Sequence, residues 1–171
     1  MRYATTLPLA LSLACGGLTS ASGAGAGDLV GEVSAEQILA VPGWAEEHDA
    51  ADIDLDAAQA LREVPPGATV DVFLGTWCSD SRREVPRLLR ALSHQGTVPF
   101  RVRYVGVDRA LDEPAALLAG ERIRFVPTFI VRRDGAEVGR VVESAPRGIE
   151  VELHALLSGE ARGIISRRAD L

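Results

Sequence analysis

The chain has 171 residues, a formal net charge of −6, 47% hydrophobic and 25% charged residues, which suits one domain with an N-terminal addition. All 18 basic residues are Arg, so Schiff-base and other lysine-nucleophile mechanisms are excluded, and no Asn is present to accept an N-glycan. The acidic balance speaks against a general nucleic-acid binder, which needs a basic footprint.

Residues 1–27 read as a targeting segment. Arg2 supplies a positive start, and Leu7–Ala14 is an apolar stretch too short to span a bilayer. Cys15 follows, and residues 16–27 are almost wholly Gly, Ala, Ser and Thr, the composition of a flexible tether. Leu13-Ala14-Cys15-Gly16 resembles the end of a lipobox, with Ser12 where a Leu is usual, which would make Cys15 a lipidated first residue. The alternative is ordinary signal-peptidase cleavage near Ala21-Ser22-Gly23 or Ala24-Gly25-Ala26. Either route predicts export to a bacterial periplasm or cell envelope, with membrane attachment only through a lipid at Cys15. Either also leaves Cys78 as a single free thiol, unable to form an internal disulfide.

Residues 28–68 form a polar, Ala-rich helical extension. Ser34 with Gln37 three residues on predicts a capped short helix through Ile38-Leu39. Trp44 is an expected anchor, and Leu55–Val64 a second helix stopped by Pro65-Pro66-Gly67. Regular alternation begins near residue 69. Val70–Leu74 is an apolar strand, and residues 75–81 turn into a helix with Val85, Leu88, Leu89 and Leu92 on one face. Arg83, Arg87 and Arg90 occupy another face, read as solvated, and Pro86 lies inside. Arg101–Val107 is the next strand, Asp108-Arg109 a loop pair, and Asp112–Ala119 a helix with Pro114 in its first turn. Phe129–Val131 and Glu137–Val142 are strands joined at Asp134-Gly135, a hairpin signal, and Gly148–Leu157 is a last helix. Residues 159–171 read as a charged, peripheral tail. Strands joined by helices, then a hairpin and a covering helix, predict an α/β three-layer sandwich with a mixed central sheet over residues 69–158.

Trp77-Cys78-Ser79-Asp80-Ser81 resembles the active-site turn of thioredoxins, with Ser81 where that family has its second cysteine. Arg124-Phe125-Val126-Pro127-Thr128 resembles the thioredoxin loop that carries a cis-proline, and Asp134-Gly135 matches the family's hairpin turn. The stretch from Gly75 to Ser81 is also similar to a bacterial thioredoxin-like subfamily. The resemblance covers about half the chain, and the separation of the two motifs is more specific than either alone. It implies a thioredoxin fold, a nucleophilic Cys78, and Val126, Pro127 and Thr128 as the substrate-docking edge. It also implies a cis peptide before Pro127 that places the Val126 backbone beside the sulfur.

Thiolate is the reactive form of cysteine, and a helix N-terminus presents unpaired N–H groups that favour it. Ser81, one turn on, can donate a hydrogen bond to the sulfur. Asp80 opposes the thiolate as a like charge, partly offset by Arg82 and Arg83, and Trp77 flanks the site. Ser81 cannot resolve a mixed disulfide, because that step needs a second thiolate. Thioredoxins also often bury an acid six residues before the cysteine; here that residue is Val72, and the adjacent Asp71 points to the opposite strand face.

The sequence therefore predicts an exported protein that performs monothiol–disulfide exchange through Cys78 with protein or small-molecule thiols and disulfides. The alternative is a peptide-binding module that keeps the fold and has lost redox activity. No cofactor is called for, and His48, His94 and His154 lie in separate segments without metal-ligand spacing.

Overall fold

The computed structural model describes residue 1, residues 27–94 and residues 96–171. The leader reading falls largely on residues 2–26, Cys15 included, and so lies outside the described residues.

In chain order the elements are β1 (Gly31–Val33), α1 (Ala35–Leu39), α2 (Trp44–Ala50), α3 (Leu55–Ala60), β2 (Ala68–Leu74) and α4 (Ser79–Ser93). They continue as β3 (Arg101–Gly106), α5 (Ala115–Leu118), β4 (Thr128–Arg133), β5 (Ala136–Val142), α6 (Ile149–Ser158) and β6 (Gly163–Ile165). The strands form one mixed sheet in the order β1-β3-β2-β4-β5-β6. β2 runs parallel to β3 through a crossover containing α4, and antiparallel to β4, so the two central strands meet in register at Val72↔Phe129. The β4–β5 hairpin closes on Asp134-Gly135 with φ of 52° and 77°, the two positive values that a two-residue turn of this hand requires.

Alternation along β2 divides the core. Val70, Val72 and Leu74 face α4 and α6, packing with Leu88, Phe129, Leu153 and Leu156. The N-terminal extension belongs to this core: Ile38 and Trp44 are 0% and 1% exposed within it. Its first helix starts as predicted, with Ser34 and Gln37 forming a reciprocal capping box. Phe73 faces the other way, with Val105, Val107, Val126 and Ile130, and Trp77 and Cys78 pack against that cluster.

Three expectations change. The helix predicted over Asp112–Ala119 shrinks to the four residues of α5, behind Pro114, so the third layer of the sandwich is thin. Residues 159–171 are more than a tail, because β6 pairs parallel with β5 and Ser166 donates to the Val142 carbonyl at 2.9 Å. The arginine face of α4 is not simply solvated. Arg87 bonds the fully buried Glu150 at 2.6 and 2.9 Å, Arg83 holds Asp80 and Glu84, and Arg90 donates to the His48 carbonyl. Amphipathic spacing marks the faces of a helix but does not show which buried acids another element brings to them.

Candidate functional site

Cys78 lies where β2 ends and α4 begins, as the N-cap residue of α4. It is the one free cysteine among the described residues and is half-buried. The Val126–Pro127 peptide is cis, and the Cys78 thiol donates to the Val126 carbonyl at 3.2 Å. Two motifs 48 residues apart thus meet at one sulfur. Val126, Pro127 and Thr128 are buried, and their loop is tied down on both sides. Thr128 Oγ1 donates to the Phe125 carbonyl at 2.7 Å, and the Glu143 N–H donates to the Pro127 carbonyl at 2.7 Å. Glu143 makes that bond with φ of 60°, rare for a residue with a Cβ.

Ser81 departs from the expectation. Its fully buried Oγ accepts the Gly75 N–H at 3.2 Å, and no hydrogen bond joins it to the sulfur. Its role is to hold the turn rather than to bond the thiol. Asp80 lies in the first turn of α4 and is engaged by Arg83 at 2.7 Å, as a helix N-terminal acid. Trp77 donates through Nε1 to the Val107 carbonyl at 3.2 Å. Its indole lies over Gly75, where an added Cβ would come within 2.6 Å of Cε2, so the turn needs glycine there.

No family model matches the chain. It is 28% identical over 95 residues to a thioredoxin-like protein of Acanthamoeba polyphaga mimivirus, a match covering 56% of this chain and 66% of that one. The chain thus spans just under two thirds of that relative's length. Among solved structures it is similar to a Pseudomonas aeruginosa protein of unknown function, with TM-score 0.52, 19% identity, and 75% and 88% of the two chains covered. It is also similar to a Halobacterium salinarum thioredoxin, with TM-score 0.40, 21% identity, and 57% and 78% covered. The fold is that of thioredoxin.

Around the thioredoxin-fold core, the site has a rim that the sequence did not announce. Asp28 and Leu29, ahead of β1, cross the turn that holds Cys78. Leu29 N–H donates to Thr76 Oγ1, and Thr76 Oγ1 donates to Asp28, both at 3.3 Å. Asp28 pairs with Arg109 at 3.4 Å, and the Arg109 guanidinium lies 5.4 Å from the Trp77 ring centroid. Asp108 is not Arg109's partner. It accepts the N–H groups of Ala110, Asp112 and Glu113 and so folds the loop after β3. Those N–H bonds, led by that of Glu113, hold its carboxyl below the usual range, while the Asp108 carboxylate itself pushes the neighbouring Asp112 upward.

A second support comes from the C-terminal segment. Arg168 stacks on Phe125, 4.0 Å from the ring centroid, and is fixed by Glu143 and Asp170. The same Glu143 therefore clamps the Pro127 loop through its backbone and anchors Arg168 through its side chain. Sequence separation hid these partners, since no local pattern connects Phe125 to Arg168.

Asp71 is 7% exposed on the Phe73 face, where Arg103 and Arg132 enclose its carboxylate. It has two guanidinium partners, and Val72, at the position where thioredoxins often bury an acid, faces the other core. Among the described residues no group of three or more His, Cys, Asp or Glu is placed to hold a metal, and no helix is long and apolar enough to cross a membrane.

Proposed function

We propose that this protein is an exported thioredoxin-fold protein that exchanges disulfides through the single thiol of Cys78. The observation that carries the proposal is the Cys78 thiol at the α4 N-terminus, donating at 3.2 Å to the carbonyl before Pro127. The name of the mimiviral relative, thioredoxin-like, agrees with this chemistry, and the apolar leader followed by a small-residue tether supports export.

Cys78 thiolate attacks one sulfur of a client disulfide. A new Cys78–client S–S bond forms as the client's own S–S bond breaks, and the displaced sulfur leaves as a thiolate. An external thiol, protein or small molecule, then attacks the client sulfur of the mixed disulfide and releases Cys78. This second step must come from outside because Ser81 cannot supply it. Val126 couples binding to this chemistry. A thiolate has no hydrogen to donate, so ionisation of Cys78 frees the Val126 carbonyl to accept an N–H from an extended client.

A second reading is favoured by the same hydrogen bond in its other sense: a protonated thiol engaged with Val126 suits a peptide-binding module without covalent chemistry. Cys78→Ser separates the two. Loss of mixed-disulfide formation and of exchange is expected under the proposal, whereas partner binding left intact by an inert Cys78 would support the module.

A further inference from the structure

We infer that the face of the sheet beside the Pro127 loop is a docking cleft for an acidic, apolar stretch of the client polypeptide. The inference rests on the disulfide-exchange reading for what happens at Cys78, but the docking can be measured apart from it. The β4–β5–β6 part of that face carries a cleft of about 370 Å³. Its apolar wall is Phe125, Val142 and Ile164, the last 57% exposed, and Arg122 and Arg124 stand at its rim. Cys78 does not line it, yet Phe125 and Thr128, which do, bracket Val126–Pro127. A client laid along Val126 therefore passes from the sulfur to the cleft within a few residues at about 3.3 Å each.

The charge arrangement selects the occupant. Two acids also line the cleft, and each is already held by an arginine: Glu137 is gripped at 2.6 Å through both oxygens by Arg140, itself a lining residue, and Asp170 by Arg168 at 2.6 and 2.8 Å. Arg122 and Arg124 have no carboxylate at ion-pair distance among the described residues, in a chain whose net charge is −6. Glu137 and Asp170 are near enough to feel the charge of Arg122 and Arg124 but are each held by another arginine, so two exposed guanidinium groups that make no ion pair stand beside an apolar wall and match an acidic residue next to a large aliphatic one.

The test uses the full chain with Cys15→Ser, so that Cys78 is the sole thiol. The probes are the blocked peptide Ala-Leu-Asp-Cys-Asp-Leu-Ala activated as its 2-thiopyridine disulfide, the same peptide with Asn for both Asp, and neutral 2-hydroxyethyl disulfide. The acidic peptide should react about tenfold faster than the Asn peptide, an advantage that added salt removes. Arg122→Glu with Arg124→Glu should reverse it while leaving the neutral disulfide unaffected. In parallel, anisotropy of the labelled peptides with Ser for Cys, on the Cys78→Ser chain, should show the same preference without any thiol step. Discrimination in anisotropy with no reaction at the neutral disulfide would refute the redox reading and leave docking standing. Equal behaviour of the Asp and Asn peptides would overturn docking. If the disulfide of 3-mercaptopropionate responds to the charge reversals as strongly as the peptide does, the occupant is a small carboxylate and the client-peptide assignment is overturned.

Discussion

In the proposed exchange at Cys78, the position that matters most is Ser81. Cys78 is the N-cap residue of α4 and Ser81 lies one turn on, and a disulfide needs Cβ atoms about 3.5–4.5 Å apart, a spacing that a small movement of the non-helical N-cap would supply. Ser81→Cys should therefore supply the missing resolving thiol. Mass spectrometry of the mixed disulfide should show it decaying without added thiol, replaced by an internal disulfide between Cys78 and the introduced thiol; persistence of the mixed form would contradict the geometry. Gly75 is a second sensitive point. Gly75→Ala places a Cβ against the Trp77 indole, and overpacking of this kind costs about 1–3 kcal/mol, readable in a denaturant titration. The Cys78 turn and the Pro127 loop were legible in the sequence because each is a local motif. The true partner of Ser81 was not, because a hydroxyl six residues from an amide can bond it or a sulfur, and only the closed turn selects between them.

Among the elements, the pair between α4 and α6 carries the clearest pH signature. Burial opposes ionisation of Glu150, but the hydrogen bonds from Arg87 and the Asp54 N–H outweigh it and hold its carboxyl below the ordinary range. A depressed carboxyl contributes stability that is present above its unfolded value and is lost as pH falls through the folded one. Arg87→Ala leaves that carboxylate buried without its cation and should cost about 3–5 kcal/mol at neutral pH. The difference from the unaltered chain should shrink as the solution is acidified through the carboxylate range; a constant difference would mean that Arg87 acts by packing alone. Glu84 has the opposite sign, because burial raises its carboxyl, so its ionisation at neutral pH works against the fold. Glu84→Gln should be at least as stable as the unaltered chain at neutral pH and lose that advantage in acid. Sequence periodicity located α4 and its apolar face. Glu84 and Glu150 escaped it because an acid six residues beyond Cys78 and another at the start of α6 look solvent-facing until the helices pack.

For the whole molecule, the extension and the thioredoxin-fold core form one hydrophobic unit. Trp44 lies at 1% exposure in the same cluster as Val72, Leu88 and Leu153. Trp44→Ala should lower the stability of the entire chain by about 3–5 kcal/mol in a single cooperative transition; an extension that melts separately, leaving the core transition unmoved, would contradict this. The capping box at Ser34 and the aromatic anchor were readable in advance, whereas β1 and β6 were not. Each is three residues long and draws its pairing from a neighbour far along the chain, as in Gly31↔Gly106 and Arg140↔Ile164. Such edge strands carry no periodic signal of their own.

For the proposed exchange, the fold must make Cys78 a working thiol. The most direct test is the rate at which the full chain with Cys15→Ser forms a mixed disulfide with 2-hydroxyethyl disulfide at neutral pH, compared with the same chain unfolded in denaturant. A faster reaction is expected in the folded chain, with release of the adduct on adding an external thiol and no adduct with Cys78→Ser. A folded chain that reacts no faster than the unfolded one, or not at all, would contradict the proposed exchange and leave the peptide-binding reading in its place.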